Sequence, residues 1–174
     1  MVENANKLTW KRVYITGGAS GIGLSLAKIM LANGANVAVF DIRISDEAKA
    51  ELEQAKQNLQ QQIVFQQVDV RDANAVTEAV NQSADVIGQP DLALNIAGIQ
   101  LAKTFDQLTA QEFERVVSIN LFGSRNFASA VLPLMSSGGQ LAFVASLAGL
   151  ISSYTYAAYS ASKFGVVALA GVLR

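Results

Sequence analysis

Apolar and polar positions along the chain follow two rhythms in turn. Short runs rich in β-branched and aromatic residues have the length and composition of strands: "RVYIT" (12–16), "NVAVFD" (36–41), "IVFQQV" (63–68), "DLALN" (91–95) and "QLAFVA" (140–145). Between them, longer stretches with helical spacing of apolar positions predict helices near 21–33, 45–60, 72–87 and 109–135, with a last one opening around 154. Local signals mark several ends. Ser45 precedes "DEAKAEL"; Thr109 precedes "AQEFERV", with Glu112 three residues later in capping-box spacing; Gly34 in "ANGA" stands where the first helix should stop.

This alternation predicts an α/β fold, a doubly wound parallel sheet in three layers, because each helical crossover returns the chain to the same edge of the sheet. No internal repeat, low-complexity tract or linker divides the 174 residues, so 1–174 reads as a single domain. The run at 164–173 is apolar nearly all round and reaches Arg174 without a capping residue. A helix of that kind needs cover, from a partner subunit or from further sequence.

Composition then narrows the function. Hydrophobic residues make up 51% and charged ones 16%, as in a well-buried globular core. Thirteen basic and 14 acidic residues leave a net charge of −1, with no basic block longer than "KR" at 11–12. That charge pattern offers nothing to nucleic acid or to an anionic membrane surface. The polar N-terminus shows no apolar core of a secretion signal, and the longest apolar stretches reach about half a membrane span. The expectation is a cytoplasmic protein without a membrane span. Cysteine and histidine are both absent. Disulfides and thiolate chemistry are therefore excluded, the commonest general base is missing, and no metal site is expected.

Small and polar residues collect where the strands end. "TGGASGIG" (16–23) joins the first strand to the first helix and carries Gly17, Gly21 and Gly23, which do not fit G-x-G-x-x-G. Glycines at such a junction allow a tight turn and let a phosphate approach the helix N-terminus. Asp41 closes the second strand, Asp69 follows the third, "NIAG" (95–98) ends the fourth, and Ser146 follows the fifth. One sheet edge thus has the layout of a binding crevice. "YSASK" sets Tyr159 and Lys163 at i and i+4 on one helix face. Without histidine, the chemistry open to this group is proton transfer at an alcohol or carbonyl oxygen. A phenol near pKa ~10 becomes a usable base beside an ammonium and an oxidised nicotinamide.

"TGGASGIG", "NIAG", "SIN" (118–120), the serine of "VASLAG" and "YSASK" together resemble, in order and spacing, the motifs of the classical short-chain dehydrogenase/reductase family. The resemblance covers about residues 10–174. It implies a Rossmann-type sheet lacking the family's last strands and substrate lid, so a domain incomplete at its C-terminus. It also implies a nicotinamide dinucleotide and hydride transfer to or from a secondary alcohol or ketone. Tyr159 would be the general acid/base; Lys163 would orient the nicotinamide ribose and shift the phenol. Ser146 would polarise the carbonyl, and Asn120 would kink its helix and hold a relay water. Gly17, Ser20, Gly21, Ile22 and Gly23 would line the pyrophosphate, Asp69 and Val70 the adenine, and Asn95, Ala97 and Gly98 the middle of the cofactor. The family's N-N-A-G reads Asn95-Ile96-Ala97-Gly98 here, a departure of small expected effect. Members of the family pair long helices across a subunit interface, so a homodimer or homotetramer is expected.

Asp41 would accept bonds from the adenosine ribose hydroxyls and repel a 2′-phosphate, which favours NAD(H) over NADP(H). Arg43, two residues on, could offset part of that repulsion. A second reading is a non-catalytic dinucleotide-binding module or sensor, which has no need of Asn120, Ser146, Tyr159 and Lys163 together. Substrate identity stays open, although "SLAGLI" and the segment from "YSASK" onward are similar to members acting on lipophilic ketones.

Overall fold

A computed structural model of the protein describes residues 9–173. Five strands, Arg12–Thr16 (β1), Asn36–Asp41 (β2), Ile63–Gln67 (β3), Leu92–Asn95 (β4) and Gln140–Phe143 (β5), form one parallel sheet in the order β3-β2-β1-β4-β5. The strand order reverses direction between β1 and β4, and that is where open α/β sheets present a crevice at their C-terminal edge. Register places Thr16 beside Asn95 at this edge.

The sheet is buried on both faces because adjacent strand residues point to opposite sides. Val13, Ile15, Val37 and Val39 meet helices Gly21–Ala32 (α1) and Asp46–Gln54 (α2) through Ala27, Leu31 and Leu52. Their neighbours Tyr14, Ala38 and Phe40 meet helices Ala73–Ile87 (α3) and Gly123–Val131 (α5) through Val76, Val80, Phe127 and Val131. The phenol of Tyr14 lies inside this second core, donates to the Gly88 carbonyl at 3.0 Å, and is pushed well above its ordinary pKa by burial. The two remaining helices, Ala110–Val117 (α4) and Ala157–Val172 (α6), pack against each other, with α6 also touching β5.

The expected capping signals work as read. Ser45 accepts from the Ala48 amide at 3.2 Å, and Thr109 forms a complete capping box with Glu112. Gly34, at φ 90°, follows the end of α1.

Element ends differ from the sequence expectation. The second helix stops at Gln54 rather than near residue 60. Gln61 explains this: its buried side chain donates to the carbonyls of Leu31 and Ala35, both at 2.8 Å, and accepts from the Gln57 amide at 2.7 Å. Those bonds hold 55–61 as a loop against the end of α1. Strands β3, β4 and β5 are one or two residues shorter than expected, and the last helix opens at Ala157 instead of 154. The helix expected over 109–135 changes pitch: α4 passes into a π-helical segment, Ser118–Phe122, before α5, and a short 3₁₀ turn follows at Leu132–Leu134. β5 lies at the sheet edge, and Phe164, Val172 and Leu173 of the terminal apolar run are 43%, 81% and 38% exposed. No described helix is long and apolar enough to cross a membrane.

Candidate functional site

Thr16 organises the switch point. Its hydroxyl donates to Asn95 Oδ1 at 3.2 Å and accepts from the amides of Ile96 and Ala97 at 3.0 and 3.2 Å. Asn95 passes the network on by donating to Ser124 Oγ at 2.6 Å, and Ser124 donates to the Asn120 carbonyl at 2.5 Å. Thr16, Asn95, Ser124 and Asn120 are all buried. The side chain of Asn95 is therefore committed to the interior, where it fixes the loop that follows β4.

The glycine loop next to it depends on close backbone approach. A Cβ on Gly17 would come within 2.9 Å of the Ala97 backbone, and one on Gly23 within 2.0 Å of the Gly17 carbonyl oxygen. Gly17 and Gly21 also hold positive φ, 67° and 51°, which favours glycine. Ser20 precedes α1 without making a side-chain capping bond, and no acidic residue stands in the first turn. The N-terminal amides of α1 are therefore uncapped by any side chain.

In front of this loop lies a cleft of about 280 Å³. Of the residues singled out from the sequence, Gly17, Ser20, Asp41, Asp69, Val70, Ala97 and Gly98 line it. Gly21, Ile22 and Gly23 continue the loop at its rim, with Ile22 63% exposed and Gly23 buried. Arg43 is exposed and lies outside the lining. Asp41 accepts from the Ala19 amide at 3.1 Å and the Arg43 amide at 3.2 Å, which ties the end of β2 to the glycine loop. Asp69 is paired with Arg71, whose hydrogen bonds hold its carboxyl below the ordinary aspartate range.

Gly98 connects the cleft to the proposed reacting group. A Cβ there would lie 3.1 Å from Asn120 Oδ1 and 3.6 Å from Lys163 Nζ, so the bare glycine backbone packs directly on both groups. Asn120 sits within the π-helical segment and is 1% exposed. It accepts from the Ile99 amide at 2.8 Å, donates to the Ile99 carbonyl at 2.9 Å, and donates to Ser162 Oγ at 2.9 Å. Ser162 in turn donates to the Tyr159 carbonyl at 2.7 Å, so the π segment and α6 are joined beside Tyr159.

Lys163 is 5% exposed and donates to the Val144 carbonyl at 2.8 Å. Its ammonium stands 5.7 Å from the centre of the Tyr159 ring. Burial lowers its pKa below the ordinary lysine value. Among the described residues no carboxylate pairs with it, and two of its three donors are unassigned. Ser146 opens a 3₁₀ turn, Leu147–Gly149, and accepts from the Ala148 amide at 3.1 Å, which leaves its own proton to donate. That turn is seated on α6: a Cβ on Gly149 would lie 2.7 Å from the Lys163 carbonyl oxygen.

A match to the family described as short chain dehydrogenase covers residues 11–174. The chain belongs to the short-chain dehydrogenase/reductase family. It is 36% identical over 168 residues to 3-ketodihydrosphingosine reductase of Bos taurus, covering 93% of this chain and 50% of that protein. It is 32% identical over 162 residues to D-beta-hydroxybutyrate dehydrogenase of Cupriavidus necator, covering 92% of this chain and 62% of that one. The chain thus spans about half the length of the first of these relatives. Among solved structures, carveol dehydrogenase from Mycobacterium avium in complex with NAD superposes with a TM-score of 0.85 at 27% identity, over 94% of this chain and 64% of that one.

Several residues around the cleft escape a reading of motifs. Thr16 and Ser162 stand inside quoted motifs, but only their contacts reveal what they hold. Ser124 and the Ile99 backbone carry no sequence signal, because buried hydrogen-bond partners are chosen by the fold. Arg115 and Ile119, from α4 and the π segment, wall the cleft opposite the glycine loop.

Proposed function

We propose that this chain is an oxidoreductase domain that binds a nicotinamide dinucleotide along the 280 Å³ cleft and interconverts a secondary alcohol and a ketone. One observation carries the reading. Lys163 is a buried, unpaired cation with spare donors, held behind Gly98 and against the ring of Tyr159. A merely structural lysine would be paired or solvated; a lysine kept in this state fits a ribose hydroxyl and a phenol that must lose its proton. The open amides of α1 and the glycine approach at Gly17 fit a pyrophosphate.

The bound dinucleotide would supply the hydride acceptor or donor. The chain's own residues supply the rest. Gly17, Ser20, Gly21, Ile22 and Gly23 bind the phosphates, Asp41 the adenosine ribose, and Asp69 and Val70 the adenine. Ala97 and Gly98 pass the middle of the cofactor, with Asn95 bracing them from below. Ser146 donates a hydrogen bond to the substrate oxygen and Tyr159 gives or takes the proton at that oxygen. The Lys163 cation favours phenolate, and Asn120 holds the π segment that frames the relay. The preferred cofactor is NAD(H), since Asp41 would meet a 2′-phosphate with like charge.

Leu147, Leu150 and Ile151 stand 70%, 65% and 60% exposed directly after Ser146, which suits a lipophilic substrate. Of the two relatives, the one named for 3-ketodihydrosphingosine, a ketone on a long alkyl chain, supports the same substrate class. Members of this family pair long helices across a subunit interface, which favours a homodimer or homotetramer, and the cysteine-free chain suits a reducing cytoplasm. The test is the absorbance change of NADH with ketones of increasing chain length, run beside Tyr159→Phe. Turnover lost in the variant, with NADH affinity kept within a few-fold, supports the reading. Tight NADH binding without turnover by the native chain favours a non-catalytic dinucleotide sensor instead.

A further inference from the structure

The Tyr159 side chain is held in an unusual way. Its hydroxyl makes no hydrogen bond to any described residue, so its direction is decided by what packs on the ring. The Lys163 ammonium lies 5.7 Å from the ring centre. The ring of Tyr156 packs on it, with centres 5.8 Å apart at an interplanar angle of 57°. Rotation of a tyrosine about χ2 is only softly restrained by its own bonds. Neighbouring rings therefore set the line along which the hydroxyl points.

Tyr156 is itself held at both its hydroxyl and its backbone. Gln100 Nε2 donates to its hydroxyl at 2.7 Å. Its backbone bridges to Lys103, whose amide donates to the Thr155 carbonyl at 2.9 Å. Thr155 stands at φ 71°, a left-handed conformation that a β-branched residue rarely adopts, and it is the only such non-glycine residue among those described. Such a conformation persists where the surroundings over-determine it. Here the surroundings are the loop at 100–103, which continues directly from Gly98 and Ile99 beside the cleft. The loop that follows β4 and the turn that opens α6 are thus fastened together, and the fastening ends on the ring that flanks Tyr159.

We propose that Tyr156, clamped by Gln100, is a positioning residue that sets the ring orientation of Tyr159. The inference rests on the role given to Tyr159 above, but its first readout does not need turnover. Protein labelled with 3-fluorotyrosine gives a ¹⁹F resonance for residue 159, assigned by its loss in Tyr159→Phe. Tyr156→Phe keeps the ring and removes the bond to Gln100; Gln100→Leu removes the same bond from the other end. Both changes are near-isosteric and lie on exposed or half-buried positions, so the fold should stand, as a thermal melt verifies. The expected result is that each variant moves or broadens the residue 159 resonance, and that the double variant does no more than either single one. With a ketone that the native chain turns over, kcat falls about three- to tenfold while NADH affinity stays within twofold; misplacement of a reacting group by an ångström can cost about a hundredfold. An unchanged resonance in both variants would overturn the proposal. If the native chain turns over no ketone, the oxidoreductase reading fails, while the ¹⁹F result still decides whether Tyr156 orients Tyr159.

Discussion

Asn120 and Ile99 are joined as neighbouring strands are: the side-chain carboxamide accepts from the Ile99 amide at 2.8 Å and donates to the Ile99 carbonyl at 2.9 Å. This pair of hydrogen bonds between a helix and a loop starts from the widened turn of the π segment and holds the chain next to Gly98, which lines the cleft. Widened turns of this kind concentrate at functional sites. Asn120→Leu would keep the volume but leave both Ile99 groups unpaired in a part-buried place. A loss of about 2–4 kcal/mol in urea unfolding is expected, together with weaker dinucleotide binding. A loss under about 0.5 kcal/mol would mean that the π segment holds without this pair.

Two glycines of the same loop should respond differently to alanine. At Gly23 the added Cβ meets the Gly17 carbonyl oxygen at 2.0 Å, a backbone atom that cannot yield cheaply. Gly23→Ala should therefore cost about 3 kcal/mol or more and disrupt the loop. At Gly21 nothing lies within 4 Å, so the protein loses only the freedom of φ 51°, about 1–2 kcal/mol. Gly21→Ala should stay folded and yet bind NADH poorly, because its methyl group enters the space assigned to the pyrophosphate. Thermal melts and NADH fluorescence titrations of the two variants check the contrast.

Lys163 sets a pH dependence. Burial lowers its pKa, so between that lowered value and the ordinary 10.5 the unfolded chain holds a proton that the native protein has released. The unfolded state then binds more protons, and native stability rises with pH across that window. Lys163→Met removes both the buried charge and this rise. The variant is expected to gain stability over the native protein near neutral pH, by a margin that shrinks as pH climbs toward 10.5. Urea unfolding at a series of pH values measures it. A constant difference at all pH values would show that the lysine is not held against its own charge.

Asp41 should decide the cofactor. A like-charge pair at 4 Å costs on the order of 4 kcal/mol at an effective dielectric of ~20, and a hundredfold preference needs only about 2.7 kcal/mol. Native protein should bind NADH about a hundredfold more tightly than NADPH. Asp41→Ala should narrow that gap to under about tenfold. It should also loosen the glycine loop, since the Ala19 amide loses its acceptor. Equal or tighter binding of NADPH by native protein would mean that Arg43 swings in and overrides the carboxylate.

Much of this protein was legible from the chain because it is written in local terms. The period of apolar residues depends only on backbone geometry, so it yields five strands and their order in the chain, and Ser45 and Thr109 mark helix starts through bonds within three residues. "TGGASGIG" and "YSASK" announce a phosphate turn and a Tyr–Lys face for the same reason: spacing along one element is enough. Contacts between distant segments have no such signature. Gln61 ends α2 early by bonding to Leu31 and Ala35, residues 30 and 26 positions away. The strand order β3-β2-β1-β4-β5, the Thr16–Asn95–Ser124–Asn120 network and the π turn all join segments that meet only when the sheet closes. The sequence by itself determined which chemical groups the protein owns and which element carries each. Tertiary structure alone decided which of them share a cleft, that Asn95 faces inward, and that Gln100 holds Tyr156 against Tyr159, because burial and long-range hydrogen bonding depend on where every other segment has already been placed.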